Sequence, residues 1–398
     1  MINLTIIIGT MRKLNILIAC DSVGYQMGGA FISPMRFAEL LKKRGHKVVF
    51  IAAKHSGGQE VDYYKGIKVY RFRSFSLPKF PLIRIAFPTK KEVEKIIKKE
   101  KIDIVHVMVP TPVSVSSIKS ARKNAIKIVS HSHTQPENIL LQCPSFMRTE
   151  FLRNWIYKYL IRFYGKTELT FCPSKFAERA LKKYNPNLKT IVVSNGIDLF
   201  KFKKMNSSKF IKKFNIPRGF SLILYAGRLD PEKRIDVLIQ SMKHVLKKRK
   251  NVYLILVGGG SMKSSLENLS KNLGLEKNIQ FLGRVSDEDL SLAYNASNIF
   301  VLPSLAELEG MVVLEAMACG KPILIANSKE SASVDFVQQN GFLFKSGDSA
   351  DLSKKILKLL GNDALRKKMG KKSLELAKNY DINCSVDKLE KAYYSLLK

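Results

Sequence analysis

Two glutamates, Glu307 and Glu315, bracket the run Glu307-Leu308-Glu309-Gly310-Met311-Val312-Val313-Leu314-Glu315. The run follows an apolar stretch, Ile299–Leu302, that reads as a strand, and it opens a segment of helical apolar spacing through Ala318. Glu307 then precedes a helix and can face a cleft beyond the strand end, while Glu315 sits further inside. The early helix N–H groups, near Gly310–Val313, lack intrahelical partners and suit a phosphate. Carboxylates accept hydrogen bonds in pairs and so fit vicinal hydroxyls such as those of a sugar. A blander reading stays open, because acids are favourable near a helix's positive end without any ligand.

A second group follows the apolar run Ser221–Ala226: Gly227-Arg228-Leu229-Asp230-Pro231-Glu232-Lys233-Arg234. Glycine allows a tight turn and Pro231 favours a helix start. Arg228 and Lys233 would project together at one strand end, where two cations can stabilise the developing charge of a diphosphate leaving group. Gly28 and Gly29, after the first strand and before a helix, allow close backbone approach to a phosphate, or make a plain loop. His131 and His133 fall at the end of another apolar run, with His131 reading as the strand's last residue and His106 as structural.

Asp287-Glu288-Asp289 matches an Asp-x-Asp metal–nucleotide pattern, but Ser286 before it is a good N-cap and acids belong in a first helical turn. The expectation is therefore capping, with no metal site. The five cysteines are scattered, odd in number and never paired as Cys-x-x-Cys, which fits reduced thiols and not zinc ligation.

Open parallel sheets bind ligands beyond the carboxyl ends of their strands, so these residues need strand–helix alternation behind them. Strands are predicted at 14–19, 47–52, 102–107, 126–131 and 190–193, with helices at 34–43 and Lys90–Glu100 between them. The pattern breaks around 200–220 in a basic, irregular stretch and then restarts. The expected fold is α/β, with an N-terminal Rossmann-like domain over 1–205, a second over 206–380, and a C-terminal helix over 381–398 that can return to the first domain. No apolar run reaches the ~18 residues needed to span a bilayer. Residues 1–10 are apolar but lack the basic front and cleavage site of a signal peptide; Met11 is an alternative start.

The Gly-Arg-Leu…Glu-Lys-Arg stretch and the two glutamates resemble the signature of family-4 retaining glycosyltransferases. So do Ser194-Asn195-Gly196-Ile197-Asp198, Phe281-Leu282-Gly283-Arg284-Val285 and Glu315-Ala316-Met317-Ala318-Cys319-Gly320. These lie in the family's order and cover nearly the whole chain. One departure is Leu308-Glu309-Gly310, where Gly-Phe-Gly usually follows the first glutamate. The resemblance implies the GT-B architecture: two Rossmann-like domains facing each other across a cleft. It implies a UDP-sugar donor and no cofactor. Gly28 and Gly29 would line the donor phosphates, Arg228 and Lys233 hold the diphosphate, Glu307 bind the sugar and Glu315 the ribose. The main chain of Val285 would meet the base, and that of Met311, Val312 and Val313 the distal phosphate. His133 matches the family's active-site histidine better than His131 does.

The net charge is +35, and the first 200 residues alone carry 34 basic and 13 acidic side chains. Such a field attracts polyanions, whether an anionic membrane or nucleic acid; a Lys-rich composition bias is the bland alternative. The segment 75–88 mixes apolar residues with Lys79 and Arg84, around Phe80, as an interfacial loop would. Met147, Phe151, Trp155, Tyr159 and Phe163 form a stripe spaced four residues apart beside Arg148, Lys158, Arg162 and Lys166, readable as a membrane face or as a core helix. The arrangement is similar to the monotopic diacylglycerol glucosyltransferases of the same family. The expected acceptor is a membrane lipid such as diacylglycerol, and the expected place the cytoplasmic, inner face of the cell membrane. A soluble or polysaccharide acceptor is the alternative. A nucleic-acid-binding protein would share the charge but would leave the glutamates unexplained.

Overall fold

The first strand, β1 (Asn15–Ala19), is buried on both faces, as its near-continuous apolar run requires of a central parallel strand. The structure is a computed structural model and describes residues 12–24, 29–55, 58–77 and 80–398. Residues 1–11, Gly28 and Lys79 lie outside that set, as does the side chain of Phe80.

β1 pairs in parallel with β2 (Lys47–Ala53) and, among later strands, with β7 (Ile104–Val107). The sheet continues from β2 through β4 (Ile67–Phe72) to β3 (Val61–Tyr64), and from β7 through β8 (Lys127–His131) and β9 (Leu169–Cys172) to β10 (Thr190–Val192). Only β3 runs antiparallel in it, turned by Lys65 and Gly66 with positive φ of 48° and 72°. Apolar helix faces cover both sides. The second sheet has the order β13-β12-β11-β14-β16-β18 and is parallel throughout. Its central members are β11 (Ser221–Ala226), β12 (Val252–Val257) and β14 (Ile299–Leu302), and its outer ones β13 (Ile279–Gly283), β16 (Ile323–Asn327) and β18 (Gly341–Lys345).

Three expectations change. The first helix spans Gly29–Lys43, so Pro34 lies inside it instead of at its start. Proline's preference for the first helical position had suggested the later boundary. The segment expected as an interfacial loop instead forms an antiparallel ribbon of β5 (Ser74–Leu77) and β6 (Phe80–Ala86). Its prolines and mixed polarity hide the alternation that would announce strands. The basic stretch near the junction contains a short helix, Ser208–Lys213, anchored by the buried Phe210.

The last helix, Ile382–Leu397, does return to the first sheet. Val386, Leu389 and Tyr393 enter the same cluster as Ile16, Ile18 and Phe171. Glu390, almost wholly buried, accepts from His46 at 2.7 Å and pairs with Arg44, which also reaches Asp387 at 2.6 Å. Burying the Glu390 carboxylate is tolerable only because these partners surround it; they hold its pKa below the ordinary value despite the desolvation.

Candidate active site

Segments that follow strands of the two sheets meet across a cleft: Arg36 with Glu315, Ser174 with Leu308 and Ser194 with Glu309. The Gly227 turn after β11 lies against the loop after β12, Gly258-Gly259-Gly260. A Cβ on Gly258 would come within 1.9 Å of the Gly227 carbonyl oxygen, so only glycine allows the two loops to touch. Asp230 is buried at this junction and accepts from Ser261 N at 2.9 Å and Ser261 Oγ at 3.0 Å. This glycine run was passed over in the sequence, although glycines directly after a strand are the usual sign of close backbone approach.

Lys233 and Glu307, singled out separately in the sequence, lie against each other. Nζ lies 2.8 Å from Oε1, and both side chains are mostly buried. Glu307 lies on β15 (Ala306–Glu307), which pairs with β17 (Glu330–Ser331). Arg228 is not a bare cation: its guanidinium spans Asp230 and Glu232, leaving the group half-exposed. The helix Met311–Ala318 starts at Gly310, held at φ 92°, so the N–H groups of Met311 and Val312 lack intrahelical partners, whereas that of Val313, also expected to meet the phosphate, donates to the Gly310 carbonyl at 2.8 Å. Val285 is half-buried just past β13.

Glu315 sits inside that helix and is buried. Tyr294 donates to its Oε2 at 3.0 Å, and Arg36 Nη2 reaches its Oε1 at 3.5 Å. Burial raises its pKa, and the Arg36 charge opposes that rise. Arg36 belongs to the helix Gly29–Lys43 of the first sheet, so this pair crosses the cleft. One turn earlier on the same helix, Ser33 Oγ lies 3.4 Å from His133 Nε2. Residues three apart share a helix face, so one helix touches both the histidine and the second glutamate. Gly29 is its first residue. Neither Ser33 nor Arg36 was singled out in the sequence, where the helix face could not be assigned a partner.

His133 follows β8 and is half-buried. Desolvation lowers its pKa to about 3, so the imidazole is neutral at ordinary pH. His131 ends β8 as expected and is fully buried. His106 is structural in the sense expected: its Nδ1 lies 2.7 Å from the Tyr393 hydroxyl.

Glu309, noted in the sequence only as a departure from a pattern, is a buried contact between the two halves. It accepts from Asn195 N at 3.0 Å and from the Ser194 hydroxyl. The signal was present, since Ser194-Asn195-Gly196 was itself singled out. The neighbouring Leu308 carbonyl accepts from Ser174, and Gln135 Nε2 donates to the Glu330 carbonyl at 2.8 Å. Burial pushes the Glu309 carboxyl up to about 7.

Asp287 and Asp289 are engaged in the helix start. Ser286 Oγ accepts from Asp289 N at 3.1 Å, Lys213 pairs with Asp289 at 2.7 Å, and Lys201 pairs with Asp287. Arg84, expected at a membrane face, directs its guanidinium onto Ser74 and the Lys54 carbonyl. The stripe on the helix Glu150–Tyr164 divides. Phe163 is core, whereas Phe151 is 80% exposed and Trp155 59%, next to Phe146 at 79%. Lys158 and Arg162 are exposed on the same helix, whereas the Arg148 guanidinium turns back onto the Leu141 and Cys143 carbonyls.

Two facing Rossmann-like sheets, a cleft-edge glutamate pair and a returning C-terminal helix define a glycosyltransferase of the GT-B fold. Two family models match in succession, "Glycosyltransferase Family 4" over residues 27–200 and "Glycosyl transferases group 1" over 206–375. The chain belongs to the family-4 glycosyltransferases. It is similar to the alpha-monoglucosyldiacylglycerol synthase of Streptococcus pneumoniae, 26% identical over 76% of this chain and 69% of that one. It is 26% identical to the sulfoquinovosyl transferase SQD2 of Arabidopsis thaliana over 90% and 69% of the two chains. The N-acetyl-alpha-D-glucosaminyl L-malate synthase of Bacillus anthracis is 25% identical over 97% and 98%. In fold, the chain matches sucrose-phosphate synthase of Thermosynechococcus elongatus with a TM-score of 0.80 at 19% identity, covering 97% and 99%. It matches the Anabaena protein HepE, solved with UDP and glucose, at 0.75 and 20% identity, covering 96% and 100%.

Proposed function

We propose that the chain transfers a hexose, glucose, from a UDP-sugar to a membrane lipid such as diacylglycerol, with retention at the anomeric carbon. The donor half of this reading is supported by the grouping of Lys233 with Glu307 and of Glu315 with Tyr294 at the ends of one sheet. The diphosphate would exchange the carboxylate partners of Arg228 and Lys233 for its own oxygens. The helix N–H groups at Met311 and Val312 would take the distal phosphate, and the Val285 main chain the base. Gly28 and Gly29 would approach from the other side. Glu307 would hold sugar hydroxyls and Glu315 the ribose. Charge on the departing phosphate would thus be met by two cations and a helix end, without a metal ion. The acceptor hydroxyl would attack from the face of departure.

The observation that carries the lipid reading is the exposure of Phe146, Phe151 and Trp155, with Lys158 and Arg162 exposed on the same helix as the last two. Aromatic rings and long cations together suit the interface of an anionic membrane. No helix among the described residues is long and apolar enough to cross a membrane, so the attachment would be peripheral, on the inner face. Two relatives are named for work on sulfoquinovosyl or diacylglycerol substrates. A soluble acceptor is the second reading, favoured by the malate-named relative that matches nearly end to end. Labelled UDP-sugars offered against extracted lipids and soluble acceptors, with products separated by phase partition, decide between them. Label in the organic phase is expected. Label confined to the aqueous phase, without affinity for anionic vesicles, ends the lipid reading.

A further inference from the structure

Three imidazoles lie in one column on the face of the first sheet. His106 stacks on His131 with ring centroids 5.7 Å apart and planes within 10°; His131 stacks on His133 at 4.3 Å, again within 10°. The backbone makes this possible. Alternate residues of a strand share a face, so His131 and His133 project together, and the β7–β8 register sets His106 opposite Val129 on that same face. The column is closed at its inner end by Tyr393 of the last helix, bonded to His106, and at its cleft end by Ser33, near His133 Nε2. Phe37 and Phe171 flank the middle ring at 5.7 and 5.8 Å.

The middle ring is chemically odd. His131 is fully buried, and neither of its nitrogens has a hydrogen-bond partner among the described residues. A buried polar ring without partners costs stability, so hydrogen bonding does not explain its place. What it does contribute is a flat face against His133. We infer that His131 is a positioning residue for His133: its ring face fixes the plane in which His133 presents its nitrogens to the cleft. The imidazole is small enough to fill the space between Phe37 and Phe171 while stacking on both neighbours. Through His106 and Tyr393, the returning C-terminal helix backs the same column. The inference rests on His133 lying at the proposed donor site. A polar role for His131, or a purely space-filling one, would leave different marks on activity.

The test compares His131→Phe, which keeps an aromatic face and removes both nitrogens, with His131→Asn, which keeps polar atoms and removes the face. His131→Ala serves as the deletion. Melting temperature and UDP affinity by calorimetry establish that each variant is folded with an intact nucleotide site. In folded protein, His131→Asn and His131→Ala are expected to lower kcat by about 10²-fold, the scale of a small misplacement at a reacting centre, with UDP affinity and donor KM little changed. His131→Phe is expected to recover most of that loss. Equal loss in the Phe and Asn variants, or recovery by Asn, would overturn the inference, as would wild-type kcat in folded His131→Ala. Nitrogen-15 spectra of the histidine rings read the same point without any donor. His133 should keep wild-type ring signals in His131→Phe and become averaged in His131→Asn. Unchanged His133 signals in all three variants would also overturn it. Absence of transfer by the wild type with every UDP-sugar would count against the proposed donor, and the ring spectra would still decide the role of His131.

Discussion

Lys233 Nζ and Glu307 Oε1 stand 2.8 Å apart, although more than seventy residues separate them in sequence. The pair is mostly buried, so neither charge is idle: removal of one leaves the other uncompensated. Glu307→Gln keeps the shape and a hydrogen-bonding oxygen but removes the charge. Turnover is expected to fall by about 10²-fold or more, since a group aimed at the reacting sugar acts in the transition state. UDP affinity should not fall, because Glu307 is assigned to the sugar and the diphosphate would displace it from Lys233. Steady-state kinetics beside UDP calorimetry checks this, and an equal fall in both would assign Glu307 to the nucleotide.

Glu309 ties the pH dependence of stability to the contact between the two halves. Its carboxyl is pushed up to about 7 by burial, above the ordinary value of 4.5. A raised acid binds its proton more tightly in the folded chain. Its contribution is therefore fully present below the unfolded value and is lost as pH rises through about 7. The total is on the order of 3 kcal/mol. Glu309→Gln keeps the acceptor for Ser194 and Asn195, so denaturant titrations should find it relatively more stable than wild type at pH 8 than at pH 4.5. A difference independent of pH would remove Glu309 as the source.

The histidines of the column act in the opposite sense. His106 and His133 are held neutral with pKa values near 3, below the usual 6.5, and His131 is lowered as well. The unfolded chain takes up protons first on acidification, so their contribution is present above about 6.5 and is lost as pH falls toward 3. Each histidine adds a slope of up to about 1.4 kcal/mol per pH unit in that window. His106→Phe should flatten the acid limb by roughly one such slope. An unchanged limb would mean that the column titrates normally.

Chelation is expected to leave transfer intact. The aspartates of the Asp-x-Asp pattern are taken up by the Ser286 cap, Lys201 and Lys213. Assay in EDTA with and without added manganese checks this, and loss restored by manganese would return Asp287 and Asp289 to a metal.

Binding to anionic vesicles should weaken in high salt, because the screening length falls to about 3 Å at 1 M. An apolar remainder should persist through Phe146, Phe151 and Trp155. Replacing Phe151 and Trp155 together by alanine is expected to cost about tenfold or more in vesicle affinity at any salt, from lost apolar burial. Undiminished binding would place the membrane face elsewhere.

The strand–helix alternation was legible because buried parallel strands are nearly unbroken apolar runs, as in β1, β11 and β14. The β5–β6 ribbon was not: its residues alternate poorly, and Pro81 lies within β6. Glu307, Glu315, Arg228 and Lys233 stood out because strand ends expose charge beside glycine. Arg36 and Ser33 could not be found that way, since their meaning depends on contacts between segments about 100 and 280 positions away. Glu309 looked like noise within a motif and became intelligible only once Ser194 and Asn195 lay against it.

The central claim is that the second sheet holds a nucleotide diphosphate between Arg228, Lys233 and Glu315. Calorimetric titration of UDP into the wild type, Arg228→Ala and Glu315→Gln tests it most directly. Wild type should bind, and each variant should bind more weakly by about tenfold or more, the worth of a hydrogen bond to a charged group. Wild-type affinity in both variants would contradict the account.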